Sequence, residues 1–180
     1  MKPISVLLTQ YAAYHRDRRN IATHFVGVPM IVFAIVLALA TASVSVAGVA
    51  ITLAAVLAVV SCVYYLRLDF TFGVTMAVVL FAMCAASSEI AARLSTGAVL
   101  GLAAAIFVAG WALQFLGHKF EGMKPAFFDD VMQLMIGPLF VCAELFFLLG
   151  AKSELRRYIE DRVGPTVPRR TALPEDAATR

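Results

Sequence analysis

Five apolar runs, each long enough to cross a lipid bilayer as a helix, alternate with short polar segments along this chain. A helix of about 20 residues spans roughly 30 Å of hydrocarbon. The runs cover residues 24–41, 49–66, 70–94, 98–116 and 131–150. Hydrophobic residues make up 61% of the chain and charged residues only 15%, which excludes an ordinary soluble domain. We predict an all-α fold, a polytopic integral membrane bundle of about five helices.

Both ends of the chain are more polar than the runs between them. Leu7, Leu8, Tyr11 and Tyr14 recur at helical spacing, which predicts an additional N-terminal helix lying flat at the membrane interface. Beyond Gly164 the chain has three prolines and no apolar run. We therefore expect a membrane domain over residues 1–150. Residues 151–180 should form a polar tail, with a short amphipathic helix followed by a disordered segment.

Two polar segments, residues 15–24 and 117–125, hold all three histidines of the chain, which are His15, His24 and His118. Consecutive membrane helices joined by short turns must alternate in direction. The start of the first run and the end of the fourth therefore lie at the same membrane face. We expect the three histidines to meet there, with Asp17 and Glu121 nearby.

Three histidines at one face indicate a metal site. Neutral imidazole is the commonest metal ligand, and such a set with open positions suits Fe(2+) oxygen chemistry or zinc hydrolysis. Glu121 follows His118 by three residues on the same helical face, so it could be a ligand, an orienting partner or a base. The alternative is that these histidines are simply solvated at headgroup level.

The spacing of His15 and His24 predicts a break in the helix between them. On one continuous α-helix, nine residues place two side chains about 180° apart and roughly 13 Å apart along the axis. Nitrogens that bind one metal ion lie only about 3 Å apart. A shared site therefore requires a turn, which we place at Asn20–Thr23 because either residue can cap a following helix.

Other features of the sequence exclude several functions. Each of the three cysteines stands alone inside an apolar run, without CxxC spacing, so zinc-ribbon and dithiol sites are not expected. The net charge of +3 and the lack of basic runs interleaved with aromatic residues exclude nucleic acid as a partner. The oligomeric state is left open. The basic cluster at residues 16–19 suits either anionic headgroups or a fatty acyl carboxylate.

Both polar segments resemble one family, the small membrane proteins related to the yeast 2-hydroxy-fatty-acid dioxygenase. The resemblance spans residues 11–147, and the apolar runs match only in character. The matching positions are Tyr14-His15-Arg16-Asp17, Arg19-Asn20, Thr23–Pro29, Gly110-Trp111, Gln114-Phe115, Gly117-His118, Phe120-Glu121, Pro125-Ala126, Pro138 and Glu144.

The resemblance implies an Fe(2+)-dependent dioxygenase that removes C1 from a 2-hydroxy fatty acid, giving a fatty acid one carbon shorter, as in α-oxidation. A 2-hydroxy fatty acid, O2 and the lipid bilayer are then the expected partners. The resemblance places the metal ligands at His15, His24 and His118. We further expect catalytic roles for Glu121 and Asp17, and substrate binding by Arg16, Arg19, Asn20, Gln114 and Lys124.

Two other functions stay open on the sequence. A haem-binding electron carrier would use His24 and His118 as axial ligands, and a lipid-binding or scaffold protein would bind no metal. Short loops and alanine-rich helices are typical of a bacterial protein. Basic residues at the histidine face favour a cytoplasmic position for it under the positive-inside rule. We expect an integral protein of a bacterial inner membrane whose polar site faces the cytoplasm.

Overall fold

The computed structural model describes residues 2–47, 49–126 and 129–169. Within these ranges the chain forms seven helices and one two-stranded antiparallel hairpin. In chain order the elements are α1 Ile4–Ala12, α2 Arg18–Leu39, β1 Ser43–Val46, β2 Val49–Thr52, α3 Leu53–Leu68, α4 Phe70–Arg93, α5 Thr96–Glu121, α6 Gln133–Leu148 and α7 Ser153–Val163. The all-α prediction is confirmed apart from the small hairpin.

The number of candidate membrane spans is smaller than the five predicted. In the described part of the chain, α2, α4 and α5 are long and apolar enough to cross a bilayer, and α6 with α7 is a fourth candidate bent by 112°. Helix α3 has only 16 residues, because the chain before it forms the hairpin. Residues 43–52 are rich in β-branched side chains, which favour a strand over a helix.

The contacts of α6 place both of its ends at the same end of the bundle. Near its start, the Met135 carbonyl accepts a hydrogen bond of 2.8 Å from the Tyr65 hydroxyl. Just after its end, Lys152 Nζ donates to Asp69 Oδ2 at 2.8 Å. Tyr65 and Asp69 are one helical turn apart at the end of α3. These contacts favour a re-entrant segment over a fifth span, and they return the C-terminal helix to the face where α2 begins.

Helices α2 and α5 form the closest contact in the bundle. A Cβ atom added to either Gly27 or Gly110 would lie 3.0 Å from the carbonyl oxygen of the other residue. Only glycine permits this approach, as is common where membrane helices pack closely. Helix α5 also continues to Glu121, five residues beyond the predicted end, and stops at Gly122 with φ at +71°. This longer helix brings His118 level with the first turns of α2.

The first residues after α7 make backbone contacts with the loop before α2. Val167 N–H donates to the Arg16 carbonyl at 2.8 Å, and the Val167 carbonyl accepts from Arg18 N–H at 2.9 Å. The polar tail is therefore not separate from the membrane domain, because residues 164–169 pack on the loop before α2. Composition could not reveal this, since the pairing satisfies peptide groups far apart in sequence. The remainder of the predicted disordered segment, residues 170–180, lies outside the described residues.

Candidate metal centre

The chain turns sharply between α1 and α2, and His15 lies in this turn. Tyr14 N–H donates to the Tyr11 carbonyl at 3.1 Å, and His15 N–H donates to the Ala12 carbonyl at 3.0 Å. The predicted helix break is confirmed, but its position at Asn20–Thr23 was wrong. Asp17 caps α2 instead, accepting from Arg19 N–H at 2.9 Å, so the helix starts at Arg18.

The turn brings the three histidines together inside the protein. His15, His24 and His118 have relative exposures of 0%, 1% and 6%. One ring nitrogen from each residue lies within 4.8 Å of the other two, so among the described residues these three side chains form a group that could hold a metal ion. The His15 ring also stacks on that of Tyr11, with centroids 4.2 Å apart and planes 5° apart. Burial and this stacking contact hold the His15 imidazole in place.

Backbone hydrogen bonds determine which ring nitrogens face the centre of this group. His15 Nδ1 lies 2.7 Å from the Tyr11 carbonyl, and His24 Nδ1 lies 2.9 Å from the Asn20 carbonyl. Because a carbonyl oxygen can only accept, each Nδ1 carries a proton and donates it. Burial holds the pKa of His15 well below its usual value, with the neighbouring histidines adding to the effect. We therefore assign His15 as neutral, with an unprotonated Nε2.

The two Nε2 atoms of His15 and His24 lie 3.0 Å apart. With both Nδ1 atoms protonated and both rings neutral, the lone pairs of the two Nε2 atoms lie close together, which is unfavourable unless both nitrogens bind one cation. Nitrogens bonded to one metal ion at about 2.1 Å are themselves about 3 Å apart. Backbone carbonyls commonly set the tautomer of metal-binding histidines in this way. These residues fit a metal ion.

Glu121 holds the loop that carries His15. Its carboxylate accepts hydrogen bonds from Arg16 N–H at 2.9 Å, from Asp17 N–H at 2.9 Å and from Asn20 Nδ2 at 3.0 Å. The side chain is 3% exposed. A buried carboxylate that accepts several N–H groups is strongly stabilised in one position. Glu121 thus ties the end of α5 to the start of α2.

An ion pair between Asp17 and Arg19 also stabilises the start of α2. Asp17 is fully buried and accepts from Arg19 Nε at 3.0 Å and from Arg19 Nη2 at 2.7 Å, in addition to capping α2. The Arg19 guanidinium lies over the Phe120 ring, 4.7 Å from its centroid. Neither Asp17 nor Glu121 belongs to the converging set of ligand atoms among the described residues.

The buried guanidinium of Arg16 joins three parts of the chain. Its Nε donates to the carbonyls of Ala12 and His15 at 2.9 Å, and its Nη1 donates to the Gly164 carbonyl at 3.1 Å. Its Nη2 lies 3.5 Å from Glu144 Oε1. Arg16 lines a cavity of about 290 Å³ whose walls contain none of the three histidines. The predicted substrate residue thus lies beside a different cavity from the one next to the metal centre.

A second cavity, of about 220 Å³, reaches the histidines directly. Its walls include His24 and His118, and most of the remaining lining is apolar side chains from α2, α5 and α6. Ile35, Phe107 and Leu134 line it and are 39%, 38% and 49% exposed on the outer surface of the bundle. The cavity therefore connects the histidine cluster with the surface that would contact lipid.

Of the predicted substrate residues, only Gln114 lines this cavity. Asn20 is buried and donates to Glu121, whereas Lys124 is exposed and pairs with Asp129 at 2.6 Å. The structure adds Gln133, which also lines the cavity and which the sequence analysis missed. The sequence does offer a signal for Gln133, because it is a polar side chain near the start of an apolar run. Polar residues inside membrane segments commonly have functional roles.

Two comparisons with known proteins bear on this site. The sequence model of the family described as "2-hydroxy-palmitic acid dioxygenase Mpo1-like" matches residues 1–149. The chain belongs to this family. The 2-hydroxy-palmitic acid dioxygenase MPO1 of Saccharomyces cerevisiae is 32% identical over 152 residues, which cover 83% of this chain and 83% of the yeast protein. No solved structure matches the chain.

Membership in the Mpo1-like family confirms the resemblance seen in the two polar segments. It supports an oxidoreductase that acts on 2-hydroxy fatty acids, and the three buried histidines are consistent with a metal-dependent reaction. Both segments lie inside the matched residues.

Proposed function

We propose that this protein is a dioxygenase of 2-hydroxy fatty acids that uses Fe(2+) held by His15, His24 and His118. The observation that carries the proposal is the convergence of three buried histidines, with the Nε2 atoms of His15 and His24 only 3.0 Å apart. The name of the yeast relative supports the substrate class. Zinc would fit the ligands but has no redox chemistry, so an oxygen-consuming reaction favours iron.

In the proposed reaction, one 2-hydroxy acid and one O2 give a fatty acid one carbon shorter, one CO2 and one water. The bond between C1 and C2 breaks, C2 is oxidised from an alcohol to a carboxylic acid, and C1 is oxidised to CO2. The four electrons released reduce O2. Iron bound at the histidines would supply the electrons that first activate O2.

The apolar cavity is the proposed place for the alkyl tail. Its walls reach His24 and His118 at one end and lipid-facing side chains at the other. An amphiphile in the bilayer can therefore enter from the side and keep its polar end at the membrane face, beside the imidazoles. The apolar walls also exclude water from that end.

We assign Glu121 and Asp17 positioning roles in place of the catalytic roles expected from the sequence. Both carboxylates are occupied by N–H groups of the loop and of Arg19. Holding that loop keeps His15 against His24. Arg16, Arg19 and Asn20 support the same loop, and Lys124 lies outside it, so we retain only Gln114 as a substrate-binding residue.

The geometry counts against a haem-binding carrier. The ring centroid of His15 lies 4.5 Å from that of His24 and 4.9 Å from that of His118. A porphyrin held between His24 and His118 would need the space that His15 fills. A metal-free lipid-binding protein is the alternative that the experiment below distinguishes.

We also propose that the histidine face is cytoplasmic, in a bacterial inner membrane. The basic residues of the turn before α2 lie at this face, and the contact between Lys152 and Asp69 adds the C-terminal basic residues to it. This asymmetry is what the positive-inside rule favours.

Iron content and turnover test the proposed function together. Protein purified in detergent and reconstituted with Fe(2+) without oxygen should bind about one iron per chain, and should then consume O2 with 2-hydroxyhexadecanoate and release pentadecanoate. His15→Ala, His24→Ala and His118→Ala should each lose the iron and the activity. Lys124→Ala, an exposed change near the site, is the control and should keep both. A wild-type protein that binds no iron, or two histidine variants that retain it, would overturn the proposal.

A further inference from the structure

Besides His118 Nδ1, two buried polar atoms on side chains that line the apolar cavity have no hydrogen-bond partner in the described part of the chain. They are Gln114 Nε2, a donor, and Gln133 Oε1, an acceptor. Both residues are only 5% exposed. Buried amide groups are normally satisfied, and leaving one unpaired is costly. Two such atoms on residues that line one cavity indicate that a bound ligand supplies their hydrogen-bond partners.

The orientation of the Gln133 amide follows from its other contact. Gln133 Nε2 donates to Asp130 Oδ2 at 3.3 Å. A carboxylate accepts and does not donate, so the NH2 group is the end at Asp130 and the oxygen is the end left unpaired. Asp130 itself is exposed and also accepts from Met132 N–H at 2.9 Å. The acceptor character of Gln133 in the cavity is therefore set by a neighbouring residue.

The polar end of a 2-hydroxy acid complements this pair of atoms. Its carboxylate offers acceptors, and the hydroxyl on the next carbon offers one donor. An unsubstituted fatty acid has the same carboxylate but no such donor, so it would leave Gln133 Oε1 unpaired in an apolar cavity. A site built to bind a hydroxyl group rejects the analogue that lacks it for this reason.

We propose that Gln114 and Gln133 select 2-hydroxy fatty acids over unsubstituted ones, an inference that rests on the proposed function. Gln114 Nε2 donates to the carboxylate, and Gln133 Oε1 accepts from the 2-hydroxyl. Gln133 is the specificity-determining residue, because only its partner differs between the two acids. Gln114 contributes to the binding of both.

Binding to three glutamine variants tests this assignment. Gln133→Met and Gln114→Met keep the length of the side chain and remove the amide, and Gln10→Met changes an exposed glutamine in α1 as the matched control. The dissociation constants of 2-hydroxyhexadecanoate and hexadecanoate are measured for each protein in lipid nanodiscs. Each is measured with iron bound and after removal of the iron by a chelator. Iron content and unfolding temperature are recorded for every variant.

The wild-type protein should bind the 2-hydroxy acid about 10-fold more tightly than hexadecanoate. Gln133→Met should reduce this preference to about 2-fold or less and leave hexadecanoate affinity unchanged. Gln114→Met should weaken both acids by a similar factor of about 3 to 10, as expected for one lost hydrogen bond. Gln10→Met should behave as the wild type. Gln133→Leu replaces Gln133→Met if the latter fails to fold.

A Gln133 variant that folds, holds iron and keeps the wild-type preference would overturn the assignment. An equal loss of affinity for both acids in that variant would overturn it as well. The result is separable from the proposed function, because binding is also measured without iron. A protein that binds no iron but loses its preference on changing Gln133 would contradict the proposed reaction and support the selection of 2-hydroxy acids.

Discussion

The two ends of the helix bundle differ in how their polar groups are used. At the histidine end, Glu121, Asp17 and Arg16 are buried and bonded to the backbone of one loop. At the opposite end, the chain has a small hairpin and an ion pair between Glu89 and Arg93, whose side chains are 62% and 74% exposed. Buried charges are costly unless they are fully paired, so they hold one geometry, whereas exposed pairs contribute little.

This difference indicates that polar groups at the histidine end position the candidate site, whereas those at the hairpin end belong only to the membrane fold. At the histidine end, one carboxylate accepts hydrogen bonds from residues about a hundred positions away in sequence. The ion pair described at the opposite end, between Glu89 and Arg93, is local, because the two residues are one helical turn apart. Changes of the same kind should therefore have unequal effects at the two ends.

Among changes that leave the three histidines in place, the largest expected effect comes from Glu121→Gln. The amide keeps one acceptor oxygen but turns donors toward the N–H groups of Arg16 and Asp17, so the loop that holds His15 loosens. We expect activity to fall by about 100-fold and iron affinity by about 10-fold, the range typical of residues that orient a metal ligand. Turnover and iron titration measure the two. Asp129→Asn, at an exposed carboxylate nearby, should leave both unchanged. Complete loss of iron, as in His118→Ala, would instead make Glu121 a metal ligand.

A smaller effect is expected from Gly110→Ala, with Gly101→Ala as its partner in the same helix. At Gly110 a methyl group would meet the Gly27 carbonyl oxygen at 3.0 Å, whereas nothing lies within 4 Å of the same position at Gly101. Separating α2 from α5 should cost about 1–3 kcal/mol and move His24 away from His118. Gly101→Ala should leave stability unchanged or slightly raised, because alanine favours the helix. Unfolding temperatures in detergent and iron affinity compare the two variants. If both variants had the same unfolding temperature and iron affinity, the close contact of Gly27 and Gly110 would not be what positions His24 and His118.

The smallest effect is expected at the opposite end. Arg93→Ala removes the exposed partner of Glu89 and leaves no buried charge behind. We expect no measurable change in unfolding temperature, iron content or turnover. A loss of iron in this variant would show that the opposite end also shapes the metal centre, and the contrast between the two ends would fail.

The local hydrophobic pattern predicted the long helices closely. Residues 70–94 were expected to form one helix, and the structure has Phe70–Arg93. The same reasoning failed where a partner distant in sequence decides the outcome. Residues 164–169 look disordered by composition, but the peptide groups of Val167 pair with those of Arg16 and Arg18. The apolar run of α6 predicts a span, and the residues near its two ends contact Tyr65 and Asp69, which are one turn apart at the end of α3.

The sequence by itself determined which residues carry the chemistry. Three histidines confined to two polar segments, and apolar runs that alternate in direction, were enough to bring His15, His24 and His118 to one face. The motifs around them were enough to indicate the family. These conclusions need only bilayer thickness, helix rise and residue order, which are properties of the chain alone.

Only the tertiary structure decided what each polar group faces. Arg16 pairs with Glu144 and does not line the cavity at the histidine cluster, and Glu121 accepts hydrogen bonds from the backbone of a loop. Gln133 lines the same cavity as His24 and His118. The physical reason is that a buried polar group must find a partner, and the partners available depend on which helices pack together. Helical spacing orders residues along one element, but it carries no information about the atom across the interface.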